Sequence, residues 1–368
     1  MALSTTQRKQ LSAIRRLIKS SAWSDVKQGL ALLDASDDAE IWEVMSEGIS
    51  ISEDGALSLA AGEVKARVKV ASRENVALHV ARHMGLLSKL TTLNLRGSRT
   101  ISDLSPLRGL RNLDTVDLRF CGALRDLSGL EGLSSLTTLK LNRWAGTDLS
   151  PLSGLTTITH LDLGGCRMVS DLGPLSGLTA LAHLSLVGSA VSDLSPLSGL
   201  TALAHLNLTS TAVQDLGPLR GLTGLTKLSL QDCAAVSDTS ALSGLTKLTL
   251  SYGHSKLTDL SVLSGLTSLP ELVLFGCTRA RDLSPLQGLL RLKTLHLYSM
   301  KYLQDLSGLA GMSSLTTLNL SGCTRLKDLS GLASLSALTT LNLSGCAAVT
   351  AAEVQVLQAA LPRCTIER

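Results

Sequence analysis

The chain has 368 residues, a formal net charge of +4, 44% hydrophobic residues and only 2% aromatic ones. So slight a positive balance gives no footing for nucleic-acid or membrane-surface binding by charge alone, and no apolar run is long enough to cross a bilayer. The opening stretch MALSTTQRKQ also lacks the apolar core of a signal peptide, so the expected location is the cytoplasm.

Residues 1–56 are expected to form a small helical region. Ser4 with Gln7 makes a capping box ahead of Leu11, Ile14, Leu17 and Ile18; Ser24 opens a second helix over Val26 to Leu33; Asp37 with Glu40 opens a third over Ile41 to Met45. Trp23 and Trp42 would pack these helices together. Residues 57–89 are expected to supply a capping strand and helix. Within them EVKARVKV (63–70) alternates Val64, Ala66, Val68 and Val70 against Lys65, Arg67 and Lys69, the pattern of a half-buried strand. Residues 74–88 then suit a helix. It carries His79 and His83 at the i,i+4 spacing of zinc-binding helices, but Val80 stands where a metalloprotease places its glutamate base, which favours packing over metal.

From residue 90 to 348 one short unit recurs, with Leu181 to Leu203 (LAHLSLVGSAVSDLSPLSGLTAL) as its clearest copy. The residue that opens each L-x-L falls at Leu93, Val116, Leu139, Leu161, Leu184, Leu206, Leu228, Leu248, Leu272, Leu295, Leu318 and Leu341, in steps of 20 to 24. One such unit cannot bury its leucines alone, whereas stacked copies share a continuous core, so the pattern predicts a solenoid of parallel strands with irregular returns. A shortened return before Leu248 is expected to change the curvature locally.

Two ladders accompany the leucines. After each strand comes a small donor, at Ser98, Cys121, Cys166, Ser189, Thr211, Cys233, Cys277, Cys323 and Cys346, suited to satisfying carbonyls at a tight turn. Six of the seven cysteines fall there, which reads as packing and fits a reducing compartment. At the position before the next leucine comes an aspartate in eleven repeats, from Asp103 to Asp328, followed in seven of them by Leu-Ser-Pro-Leu or Leu-Ser-Gly-Leu. Each is placed to cap a short turn or 3₁₀ segment on the convex side, where the prolines need donate nothing.

This unit, L-x-x-L-x-L-x-x-C/S followed by D-L-S-P-L-x-G-L, resembles the short repeats of bacterial internalin-like proteins and of phosphatase-regulator-type leucine-rich-repeat proteins. The resemblance implies an α/β fold, a right-handed leucine-rich-repeat solenoid with an N-terminal helical region, and a recognition scaffold without a cofactor. Residues 349–368 close the far end: Thr350 with Glu353 caps a helix through Val354, Leu357 and Leu361, Pro362 stops it, and Cys364 to Ile366 can add a last strand.

Strand alternation sends the residues around each L-x-L outward, onto the concave face. The column before the marker is blocky, with three threonines, then His160, His183 and His205, Lys227 and Lys247, Glu271, and three more threonines. The histidine ladder reads first as repeat duplication, then as a contact surface, and last as a metal site. Arg119 and Lys140 mark the earlier strands. Of eight aromatic residues, Phe120, Trp144, Tyr252, Phe275, Tyr298 and Tyr302 lie in the repeats, all at strand ends or in the following loop. Aromatic and arginine anchors carry much of interface energy, so Tyr252, Glu271, Phe275, His296, Tyr298 and Tyr302 are the expected centre of a binding edge. Arginines and lysines crowd the same loop edge, Arg143, Arg167, Arg281 and Arg325 among them, and point to an acidic protein partner.

No phosphate loop, Ser-His-Asp spacing or CxxC pair is present, so the expectation is a non-enzymatic, monomeric scaffold that binds protein rather than nucleic acid or membrane. The alternatives are a regulator of a partner enzyme, such as a small GTPase or phosphatase, and the histidine-lined metal site.

Overall fold

The computed structural model describes residues 4–18, 28–29, 31–32, 49–51, 57–59, 78, 80–82, 87–88, 90–254 and 256–368. The third predicted helix, Trp23, Trp42, the 63–70 strand, His79 and His83 lie outside them. The chain divides into two units, Met1–Leu181 and Ala182–Arg368.

In the first unit, helix α1 (Thr5–Ile18) begins at the expected capping box. The Ser4 amide donates to Gln7 Oε1 at 2.6 Å and the Gln7 amide to Ser4 Oγ at 3.2 Å, and Leu11 and Ile14 turn one face inward. Strands β1 (Ile49–Ile51) and β2 (Leu57–Leu59) pair antiparallel, Ile49 opposite Leu59. The helical reading of this region does not contain that ribbon. Its cause is local: ISI and LSL alternate with period two, and Asp54-Gly55 between them is a hairpin turn signal. Leu78, Val80 and Ala81 are helical and buried.

Four parallel strands follow, β3 (Thr92–Asn94), β4 (Thr115–Asp117), β5 (Thr138–Lys140) and β6 (His160–Asp162), with Leu93, Val116, Leu139 and Leu161 in mutual register and buried. The second unit holds nine more, β7 (His183–Ser185), β8 (His205–Asn207), β9 (Lys227–Gln231), β10 (Thr249–Gly253), β11 (Glu271–Phe275), β12 (Thr294–Tyr298), β13 (Thr317–Asn319), β14 (Thr340–Asn342) and β15 (Thr365–Glu367). Helix α2 (Ala351–Ala360) precedes β15, and its Thr350–Glu353 capping box is formed in full. Each buried leucine contributes about 2 kcal/mol relative to exposure, so the repeated leucine column is the main cohesive term in both units.

Repeat eight corrects the sequence register. Leu250, not Leu248, pairs with Leu228 on one side and Leu272 on the other, so the steps there are 22 and 22 and the shortened return disappears. One residue is missing just before the strand, and Leu248 takes the place of Leu225 one repeat earlier. The outward column therefore holds Thr249 rather than Lys247, and Tyr252 occupies the second leucine position.

Between strands the chain makes one 3₁₀ turn per repeat, such as Ser105–Leu107 and Ser284–Leu286. All eleven ladder aspartates act alike: Oδ1 accepts the amide two residues on, the first of the 3₁₀ turn, at 2.7–2.9 Å. Five ladder cysteines are also explained. Cys121, Cys166, Cys233, Cys323 and Cys346 are buried, and each thiol donates to a carbonyl of an earlier repeat at 3.0–3.2 Å.

Candidate partner-binding surfaces

Strand length decides where outward side chains can project. In six repeats the residue between the paired leucines is Asn or Asp, and its Oδ1 accepts the amide two residues on: Asn94, Asp117, Asp162, Asn207, Asn319 and Asn342. That amide is drawn to a side chain, and those strands stop at three residues. In β9 to β12 the same position is Ser229, Ser251, Val273 and His296, and these strands run to five. Lys140 and Ser185 lie on three-residue strands too, so lacking the side-chain acceptor permits the longer strand without enforcing it.

The extra length places Phe275 beside Tyr298 in register. Phe275 is 54% exposed, and the two rings are 6.4 Å apart and tilted by 59°. His296 stacks on Tyr298 at 5.3 Å with planes 7° apart, and its Nδ1 is 3.1 Å from the tyrosine hydroxyl. Its Nε2 lies 4.0 Å from Glu271, which also accepts the Thr249 hydroxyl at 3.0 Å. Burial lowers the His296 pKa and outweighs the opposing pull of Glu271, so the imidazole is neutral at neutral pH. Glu271, His296, Tyr298 and Phe275 thus form one continuous strip along β11 and β12.

Tyr252 does not belong to that strip. It is 1% exposed, fills a leucine position in the core and points its hydroxyl at the Val236 carbonyl, 3.4 Å away. Burial also raises its pKa. Gly253 beside it adopts φ +143°, and a Cβ there would sit 2.4 Å from the Phe275 carbonyl oxygen, so only glycine fits. Trp144 is likewise core, at 1% exposure.

In the second unit His183 and His205 meet edge to face at 4.3 Å. His160, in the first unit, is exposed, with Nδ1 2.8 Å from the Thr159 hydroxyl. Among the described residues no three His, Cys, Asp or Glu are grouped as a metal ion needs. Arg119 folds back onto Asp117, donating from Nε and Nη2 at 2.5–3.0 Å. Burial works to raise the Asp117 pKa, but hydrogen bonds and charge from Arg119, with Lys140 nearby, outweigh it and leave the carboxylate lowered. Arg119 is therefore largely neutralised in place.

The sequence reading missed a motif at the loop edge. Phe120 lies between Arg96 and Arg143, whose guanidinium carbons are 5.6 and 5.5 Å from the ring centroid. Tyr302 lies between Arg281 and Arg325 at 5.2 and 4.6 Å. The available signal was an aromatic residue just past a strand with arginines in the repeats on both sides.

Comparison with known proteins agrees with the repeat reading. Residues 290–334 match the model for leucine-rich repeats in two copies, and residues 154–173 match a single leucine-rich-repeat model. No curated protein matches the chain. Among solved structures, an internalin (inlF) from Listeria monocytogenes is 28% identical, covering 89% of this chain and 96% of that one at a TM-score of 0.53. An internalin C2 (inlC2) from the same organism is 29% identical over 51% of this chain and 82% of that one, TM-score 0.42. The Toll–Spatzle complex of Drosophila shares the fold alone, at 16% identity, covering 71% of this chain and 37% of that one with a TM-score of 0.51. The chain is a leucine-rich-repeat protein that resembles the bacterial internalins.

Proposed function

We propose that the chain is a non-enzymatic scaffold that holds a partner protein on the outward strip of β11 and β12. The observation that carries this reading is Phe275, a large apolar side chain left 54% exposed beside Tyr298 on a strand whose inward leucines are fully buried. A repeat core of leucine has no use for aromatic rings on its outer face, whereas interfaces concentrate their energy in such residues. Glu271 and His296 supply polar groups at the rim of the same strip. The partner we propose is an acidic protein met by a monomeric scaffold, and seven buried cysteines outside any disulfide suit a reducing compartment such as the cytoplasm.

The test is affinity capture from the source cell with wild type and the Phe275→Ala/Tyr298→Ala variant at matched salt. A protein retained by wild type and lost from the variant, with both chains melting alike, supports the reading. Equal capture by both removes the strip from the interface.

A further inference from the structure

The two Arg-aromatic-Arg stacks share one construction. In each, a ring from one repeat has over it a guanidinium group from the repeat before and another from the repeat after. Like charges do not gather around a ring unless something holds them, and the cation–π contacts do so here. Among the described residues, no carboxylate forms an ion pair with Arg96, Arg143, Arg281 or Arg325. The stacks therefore present pre-ordered, unpaired guanidinium groups, with part of the rotamer entropy already lost.

The first stack also carries a backbone cost. The position four residues past the strand marker has positive φ in eleven repeats, and glycine fills it in six. Phe120 (φ +62°) and Arg143 (φ +61°) occupy it instead. A bulky residue in the left-handed region is strained, and nothing in the core requires either side chain there, since Phe120 is 42% exposed.

We infer that each stack is a clamp for two carboxylates of an extended acidic peptide segment. The inference rests on the scaffold reading and deepens it by giving the partner's chemistry. The ring distances put the two guanidinium carbons of a stack at most about 10–11 Å apart. That matches carboxylates two or three residues apart on an extended chain, at about 3.3 Å per residue. Each planar guanidinium keeps N–H groups at its edge for a bidentate carboxylate while its face stays on the ring. Single-stranded nucleic acid fits less well, because it needs open ring faces for base stacking, and here two guanidinium groups already lie over each ring.

The experiment measures binding of a labelled peptide of alternating Glu and Ser to the full chain by fluorescence anisotropy. An oligothymidylate of equal charge serves as competitor. Arg281→Gln/Arg325→Gln and Arg96→Gln/Arg143→Gln should each remove one of the two peptide sites and halve the bound stoichiometry, and the four substitutions together should weaken binding about tenfold. The charge-preserving variant Arg96→Lys/Arg143→Lys/Arg281→Lys/Arg325→Lys should weaken it about threefold. The control Arg167→Gln/Lys256→Gln, which removes two charges from other loops, should leave it near wild type. These six side chains are exposed, so the fold tolerates every variant.

A lysine variant that binds like wild type, or a control that weakens binding as much as the clamp variants, would reduce the effect to diffuse charge and overturn the inference. No binding of the Glu-Ser peptide to wild type overturns it as well, and so does tighter binding of the oligothymidylate. Capture of a cellular protein through the Phe275–Tyr298 strip without peptide binding ends only the clamp. Peptide binding with identical capture by wild type and the strip variant ends only the role of the strip.

Discussion

At the scale of single residues, chemistry and position separate side chains that look alike in sequence. Phe275 and Tyr252 are both aromatic residues at strand ends, yet one is exposed and the other replaces a core leucine. The difference follows from register: Tyr252 lies two residues past the inward Leu250 and faces in, whereas Phe275 lies three past Leu272 and faces out. Tyr252→Ala should open a cavity and cost about 3 kcal/mol, whereas Tyr252→Leu restores the side chain of the other repeats and should cost less than about 1.5 kcal/mol. Urea unfolding of both variants checks this, and equal losses would place Tyr252 outside the core packing. Partner capture should be unchanged in Tyr252→Leu.

At the scale of the element, strand length links the Asn and Asp column to the binding strip. A short polar side chain two residues upstream takes the amide that would otherwise extend the ladder, as Asp117 does for Arg119 at 3.1 Å. Val273→Asn places the same acceptor beneath Phe275. Val273 is half-exposed, so the substitution itself should change stability little. It should shorten β11 to three residues, speed hydrogen exchange at the amides of Leu274 and Phe275, and loosen the registration of Phe275 with Tyr298. Unchanged exchange there would show that the side-chain acceptor does not set strand length.

The leucine spacing, the capping boxes of both helices and the aspartate ladder were legible in the sequence because each rests on local periodicity or on hydrogen bonds within three residues. The repeat-eight register was not, because Leu248 and Leu250 form an L-x-L as plausible as the true Leu250-x-Tyr252, and only the neighbouring strands decide between them. The Arg-aromatic-Arg stacks escaped for a related reason. They join three repeats more than twenty residues apart in sequence, and each member viewed alone is an ordinary loop residue.

At the scale of the whole molecule, the aspartate ladder ties stability to pH. Asp148, Asp193, Asp238, Asp259, Asp282 and Asp328 all have lowered pKa values because the Ser two residues on donates both its amide and its hydroxyl to the carboxylate. A carboxyl group with a pKa below its ordinary value of 3.8 binds a proton less readily in the folded chain than in the unfolded one. Its contribution is complete above about pH 5, where both states are ionised, and is lost as pH falls through the folded pKa. These groups are exposed, so each contribution is small and screened, but the same turn recurs in repeat after repeat and the losses act in one direction. Protonation also adds to a net charge that is already positive, which strains the folded chain further. The urea midpoint should therefore stay flat from pH 7 to about pH 5 and fall steadily below about pH 4. Replacing the six aspartates by asparagine keeps the oxygen acceptor while removing the titration, so this variant should lose less of its midpoint between pH 7 and pH 3 than wild type does. An acid limb just as steep in the asparagine variant would assign the loss to other carboxylates and leave the turns as purely geometric caps.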